Sequence, residues 1–238
     1  MKFISAEWRK LIMANYEIDP VILKKYLPAS TELDTWQEKH YVSLVGFMFL
    51  NTKVLGIKIP FHINFPEVNL RLYVRHKTTT GWKRGVVFIN EFVPRVAITF
   101  IANNFFREHY VTYRMKHSWN VNEQLKVGYY WEKYNACHKL EVTASGIPIE
   151  IKPGSKEEFI TEHYWGYSVI NKNKTGEYEV RHPRWQVYPV EQYDIECDFR
   201  SLYGDDFAVL NNTKPSSVFL AEGSLVSVFS KKIIDQKH

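Results

Sequence analysis

The chain has 238 residues, enough to bury a sizeable core, and for a β-rich composition one domain spanning 1–238 is the simplest organisation. Apolar residues make up 45% and charged residues 24%, which excludes disorder, collagen and coiled coil. A formal net charge of +5 is modest and scattered, with no nucleic-acid-binding module, so nucleic acid is not an expected partner. Aromatic residues reach 16%, led by Tyr 15, Phe 15 and Trp 7, a balance suited to strands and a lined cavity. There is no apolar run of about 18 residues to span a membrane, and the start, Met1 to Lys10, lacks the apolar stretch of a signal peptide. Two cysteines, Cys137 and Cys197, make no disulfide framework and no metal spacing, so a reducing cytoplasm is the expected address.

In chain order, Asp19 is an N-cap and Pro20 the first residue of a short helix with Val21, Ile22, Leu23, Tyr26 and Leu27 on its apolar face; Pro28 ends it. Tyr41 to Leu50 is nearly continuously apolar and predicts a strand buried on both faces. Residues 51–60 form a turn-rich connection. Then Val68, Leu70, Leu72 and Val74 alternate with Glu67, Asn69, Arg71, Tyr73 and Arg75, and period two predicts a strand. Gly81-Trp82 turns the chain into 85–92, which pairs back as a hairpin.

Val96 to Phe106 is apolar at roughly helical spacing, broken by Asn103-Asn104. Strands are predicted over 126–133 and 138–144. Ser155 followed by Glu158 is a capping box and opens a helix over about 156–163. Strands over 177–181 and 185–190 flank the Pro183 turn. Val218 to Ser230 reads as one or two strands interrupted at Gly223. The sum is an α+β domain built on a large, mostly antiparallel sheet with a few short helices.

Standard chemical motifs are missing. Neither G-x-x-x-x-G-K-[ST] nor G-x-G-x-x-G occurs, so no nucleotide cofactor is expected. No G-x-S-x-G elbow is present. Nine histidines are spread singly, and no metal site is announced.

The alternating strand is the first candidate site. At about 3.3 Å per residue, Glu67 and Arg71 project from one face about 13 Å apart, with Asn69 midway. If that face meets solvent, it is an ordinary polar surface. If it lines a closed barrel, Glu67 becomes a tuned acid or base and Arg71 a carboxylate clamp. A second cluster, Asn103-Asn104-Phe105-Phe106-Arg107-Glu108-His109-Tyr110 with Tyr113, Arg114, Lys116 and His117, suits either a pocket rim or a solvated loop. A third, Thr161 to Tyr167, sets His163 beside Glu162, but neighbours on a helix face apart. In Arg181-His182-Pro183-Arg184-Trp185, proline fixes a turn and His182 is either a ligand contact or satisfied by its own backbone.

Several of these segments together resemble a known family. Trp8 with the 19–28 helix, the strand 41–49, Phe65-Pro66-Glu67-Val68-Asn69-Leu70-Arg71-Leu72-Tyr73-Val74, the segment 159–167 and His182–Trp185 resemble the YqjF-type uncharacterised family, the domain of unknown function 2071. The Glu-x-Asn-x-Arg-x-Tyr-Val strand is the most specific element. That family is similar in turn to acetoacetate decarboxylase, which implies a double-cone, mostly antiparallel β-barrel around an enclosed apolar pocket. The decarboxylase forms a Schiff base through a lysine of depressed pKa. By the same resemblance Glu67 falls on its pocket glutamate, and its paired lysines fall on Arg107 and Glu108. Neither of those makes an imine.

Three functions are therefore expected to compete. The leading one is a barrel binding a small carboxylate- or carbonyl-bearing ligand, with Glu67, Asn69, Arg71 and Tyr73 facing the cavity. Arg107, His109 and Tyr110 would stand near its mouth, and His163 and His182 nearby. The second is an enzyme on organic or keto acids, of lyase or hydrolase type, with Glu67 as acid or base and an imine branch through Lys116. The third is an interaction protein using exposed aromatics, with a collapsed interior. Nothing in the sequence sets the oligomeric state.

Overall fold

The computed structural model describes residues 1–101, 103–104, 107–121 and 124–235. Strand β1 covers Lys2–Glu17, β2 Thr31–Leu33, β3 Tyr41–Val54, β4 Phe65–Thr78 and β5 Gly81–Val93. Strands β6, β7, β8 and β9 cover Tyr110–Thr112, Arg114–Val121, Leu125–Lys133 and Ala136–Ala144. Then follow β10 (Ile149–Glu150), β11 (Trp165–Asn171), β12 (Lys174–Arg181), β13 (Gln186–Tyr188) and β14 (Val190–Glu196). The chain closes with β15 (Ser217–Phe229) and β16 (Lys232–Asp235). Four short helices, α1 (Pro20–Leu23), α2 (Val96–Ile101), α3 (Lys156–Thr161) and α4 (Phe199–Tyr203), are the α-helices among the described residues.

Twelve strands make one sheet and four, in the order β14-β9-β8-β7, make a second. Most pairs are antiparallel; β11 and β6 each lie parallel to β5. Within the large sheet the order runs β15-β1-β3-β4-β5-β11-β12, and β12 pairs again with β15 through Val180 and Arg181. Seven strands thus form a cycle of hydrogen-bonded neighbours.

Both faces of β4 are covered over residues 65–74. On β4 the even residues Val68, Leu70, Leu72 and Val74 belong to one core cluster. There they join Val127, Tyr129, Trp131, Leu140 and Val142 of the four-stranded sheet, with Phe199 and Leu202 of α4. The odd residues Phe65 and Tyr73 belong to a second cluster with Met13, Val45, Phe47 and Phe159. Glu67, Asn69 and Arg71 share that second face and are 2%, 2% and 9% exposed. The polar face of the alternation, expected to meet either solvent or a barrel interior, is therefore buried, and β4 is a strand with two interiors.

Local signals act as their chemistry dictates. The Asp19 carboxylate accepts from the Val21 amide at 2.8 Å and starts α1. The Ser155 hydroxyl accepts from the Glu158 amide at 3.2 Å and starts α3, which ends at Thr161 rather than 163. β15 runs unbroken through Gly223, so a single strand replaces the one or two expected. The helical spacing from Val96 gives an α-helix over Val96–Ile101, Asn103 and Asn104 are π-helical where a break was expected, and Ala102, Phe105 and Phe106 lie outside the described residues. β1 was not foreseen: Glu7, Arg9 and Lys10 interrupt its apolar pattern, yet they pair with one another and with Glu222.

Gly223 is a position in the cycle where both the backbone conformation and a neighbouring backbone oxygen exclude a side chain. Its φ is +82°, and a Cβ there would stand 1.9 Å from the Trp8 carbonyl oxygen on β1. Gly56 has a similar φ of +85° but open space around it. Gly223→Ala is predicted to lose about 2–4 kcal/mol of stability, against about 1 kcal/mol for Gly56→Ala. Thermal denaturation of the two variants checks this, and equal losses would contradict it.

Candidate functional site

Inside the cycle lies a cavity of about 170 Å³ with mostly apolar walls. Each of the seven strands of the cycle contributes to it: Val228 of β15, Trp8 of β1, Phe47 of β3, Asn69 of β4, Glu91 of β5, Trp165 of β11 and Tyr178 of β12. Ala97, Ile98 and Ile101 of α2 cover one side.

The polar groups enter as a row set by register. Asn69 on β4 lies directly opposite Glu91 on β5, and Glu91 pairs in turn with Tyr110 on β6. Glu67 and Arg71 lie one inward-facing step to either side of Asn69. Glu108 precedes Tyr110 by two residues and faces the same cavity. The Asn69 Nδ2 donates to Glu67 Oε1 at 2.9 Å, and the Tyr110 hydroxyl donates to Glu67 Oε2 at 3.0 Å. Tyr110 is itself fixed by Asn103, whose side-chain amide bonds both its backbone N–H (2.7 Å) and its carbonyl (2.9 Å). Across the cavity Gly166 pairs with Tyr178 and admits its ring, since a Cβ there would meet the ring at 2.1 Å. The Tyr178 hydroxyl is hydrogen-bonded to Glu108.

Burial in this apolar space dominates the titration of all three carboxyls. It pushes Glu67 up to about 7, against the opposing pull of the Asn69 and Tyr110 hydrogen bonds and the Arg71 charge. Burial pushes Glu108 up to about 8, opposed by Tyr178 and by Lys231 behind it. Glu91 is raised well above the ordinary carboxyl range by burial and by the charges of Glu108 and Glu67.

Arg71 stands at the other end of the β4 row. Its Nη2 donates to the Ile160 carbonyl at 3.3 Å and its Nε to the Tyr73 hydroxyl at 3.4 Å. The Tyr73 ring sits 5.6 Å from the guanidinium, and its hydroxyl is held by Ser43 at 2.5 Å. Tyr73 thus positions Arg71 and does not itself line the cavity. His163 does line it. Its Nε2 lies 3.1 Å from Asp34 Oδ2, which also accepts from Arg84 at 2.6 Å. Burial pushes the imidazole down to about 4, although Asp34 opposes it. Asp34 is held at about 2, because His163 and Arg84 outweigh its own burial. A neutral His163 therefore donates from Nε2 and keeps Nδ1 as an acceptor.

Other expected residues fall elsewhere. Lys116 is exposed on β7 of the four-stranded sheet, so the imine branch through it is withdrawn. Arg107 and His109 are exposed and do not line the cavity; the His109 carbonyl accepts from the Glu91 amide at 3.0 Å. His182 stacks on Trp185 at 4.2 Å, bonds the Pro183 carbonyl and stays outside the cavity. No lysine lines the cavity among the described residues. Sequence reasoning passed over Glu91, Asp34 and Tyr178 as site residues. The hairpin register alone would have placed Glu91 opposite Asn69.

Comparison with known proteins gives this architecture a family. The chain belongs to the DUF2071 family, described as an uncharacterized conserved protein, whose model matches residues 5–225. It is 26% identical over 185 residues to the uncharacterized protein YqjF of Bacillus subtilis (strain 168), covering 77% of this chain and 74% of that one. Among solved structures, the enduracididine biosynthesis enzyme MppR superposes with a TM-score of 0.74 at 11% identity, covering 100% of this chain and 90% of that one. Acetoacetate decarboxylase from Legionella pneumophila superposes with a TM-score of 0.67 at 14% identity, over 98% of this chain and 87% of that one. These likenesses show the acetoacetate-decarboxylase-like fold. No helix among the described residues is long and apolar enough to cross a membrane.

The carboxyls make a pH prediction. A buried carboxyl whose folded pKa is raised binds its proton in the native state and releases it on unfolding, so stability falls as pH rises from its unfolded to its folded value. For Glu108 that window runs from the ordinary 4.5 to about 8. The stability of Glu108→Gln relative to the parent protein should therefore improve steadily from pH 4.5 to 8. Denaturant titrations across that range check it, and a pH-independent difference would contradict it.

Proposed function

We propose that the cavity binds a small carboxylate- or carbonyl-bearing molecule, with Arg71 as its carboxylate clamp and Glu67 as the acid–base group. The observation that carries this reading is Arg71. Its guanidinium is buried in an apolar cavity and forms no ion pair with a carboxylate among the described residues. A buried guanidinium that has only neutral hydrogen-bond acceptors and no ion-paired carboxylate is costly, and a ligand carboxylate offers the bidentate counter-ion that its geometry suits. The cycle of strands supports the double-cone barrel that the resemblance implies, and an open cavity favours a ligand over a collapsed interior. MppR has been solved in complex with pyruvate, which supports a small keto acid as ligand class. Both cysteines are free, in keeping with the proposed cytoplasmic setting.

A second reading, turnover of an organic or keto acid, is favoured by one observation: Glu67 is pushed up to about 7, where a carboxyl both gives and takes a proton near neutrality. It uses no lysine imine.

Native mass spectrometry and thermal-shift screening against small carboxylic and keto acids test the proposal. Acids should raise the melting temperature, and Arg71→Leu, shown folded by circular dichroism, should bind them about 10- to 100-fold more weakly. Unchanged binding in Arg71→Leu, or no binding by any acid, would overturn the assignment. Analysis of the same mixtures for product separates the readings. Turnover lost in Glu67→Gln with binding retained marks Glu67 as the acid–base group, and no turnover leaves a binding protein.

A further inference from the structure

Two features of the cavity go unused by a ligand that is only an acid. The first is a set of orphan acceptors. Asn69 Oδ1, Glu91 Oε2 and Glu108 Oε1 are buried, belong to cavity-lining residues and have no hydrogen-bond partner among the described residues. Asn69 cannot turn its amide to meet the need, because its Nδ2 is already committed to Glu67. Register sets Asn69 beside Glu91 and Glu91 beside Tyr110, with Glu108 two residues before Tyr110, so the three belong to one neighbourhood of adjoining strands.

The second feature is charge. Three carboxyls, Glu67, Glu91 and Glu108, line the cavity against the single guanidinium of Arg71. Lys231 acts on Glu108 from outside the lining. Burial raises these carboxyls toward their neutral forms, and a purely anionic ligand would bring no cation to ionise them. Unpartnered acceptors call for a donor, and clustered carboxyls call for a cation. A primary ammonium is both, with three N–H donors on one centre.

We propose that the ligand carries a protonated amine beside its carboxylate, the amine seated among Asn69, Glu91 and Glu108 and the carboxylate on Arg71. This rests on the reading of Arg71 as the acid clamp and narrows the ligand to an amino-acid-like zwitterion. Phe47, Phe49, Phe65 and Ile98 wall the rest of the cavity. A volume of about 170 Å³ is slightly larger than one that holds benzene, so the ligand is small, with fewer than about ten non-hydrogen atoms. A small branched apolar side chain fills that space.

Proton release accompanies binding. The groups acting on the amine seat are Glu67 from β4, Tyr110 from β6, Tyr178 from β12, and Lys231 with Arg107 beside it. Burial pushes Glu108 up to about 8, so it is largely protonated at neutral pH in the ligand-free protein, and burial with the charges of Glu108 and Glu67 raises Glu91 well above the ordinary carboxyl range. An arriving ammonium stabilises the ionised carboxylate, so a proton leaves and affinity rises with pH toward about 8.

Titration calorimetry of the full chain at pH 7, in two buffers of different ionisation enthalpy, tests this with three probes of one carbon skeleton: L-leucine, 4-methyl-2-oxopentanoate and 4-methylpentanoate. L-Leucine should bind at least about tenfold more tightly than 4-methylpentanoate, with release of about one proton. Glu91→Gln and Glu108→Gln should each narrow that ratio by about tenfold. If either acid binds as tightly as L-leucine, the amine seat is wrong while the Arg71 clamp stands. If none of the three binds, both fail. A preference for L-leucine that survives in both variants overturns the assigned seat.

Discussion

A guanidinium and a carboxylate on the same face of one strand, both taken out of water, are the constraint around which the remaining structure is organised. Removing such groups from solvent costs several kcal/mol each unless partners compensate. Neighbouring elements supply those partners. Ser43 on β3 holds the Tyr73 hydroxyl and is held by Asn15 on β1. The last turn of α3 offers the Ile160 carbonyl to Arg71. Asn103 anchors Tyr110, and Tyr110 reaches Glu67. Four separate stretches of chain are thus tied to β4 by polar contacts within an apolar interior. The other face of the same strand is packed against the four-stranded sheet, which fixes which residues point into the cavity.

The same burial sets the chemistry. In an apolar cavity the carboxyls hold protons at pH values where exposed ones are fully ionised. Glu67, Glu91 and Glu108 therefore present a mixture of donors and acceptors that a ligand re-sorts as it binds. The lysine imine that the resemblance implied has no lysine to form on among the described residues of the cavity lining. Here the position implied for the second of the paired lysines holds Glu108, and the cavity wall carries carboxyls where that chemistry needs an amine. Fold likeness at 11–14% identity leaves room for that change, since function resides in the side chains grafted on the scaffold.

Much of this was legible from residue order. The period-two pattern of 67–75, the apolar run of 41–50 and the Ser155 cap each gave an element in its proper place, because each rests on a local rule. What the alternation could not tell was the destination of its polar face. A solvated face and a cavity face share one pattern, and only the strands across the cycle decide between them. β1 escaped for a related reason: its Glu7, Arg9 and Lys10 look like surface residues until Glu222 of the distant β15 arrives beside them. Asp34 and Tyr178 reach the site from 129 positions before His163 and across a hairpin, separations that no local pattern encodes. Lys116 and His182 lie away from the cavity, the first exposed on β7 and the second stacked on the Trp185 ring.

The account stands on the polar face of β4 lying in a water-excluding cavity, and the protonation state of its glutamates reports that environment directly. Carboxyl-carbon NMR of the ligand-free protein, labelled at glutamate and assigned through Glu→Gln variants, would follow each one through a pH titration. Midpoints for Glu67, Glu91 and Glu108 well above the ordinary glutamate value are the predicted result. Three midpoints near that of an exposed glutamate would mean that the face is wet, and would contradict the cavity, the clamp and the amine seat together.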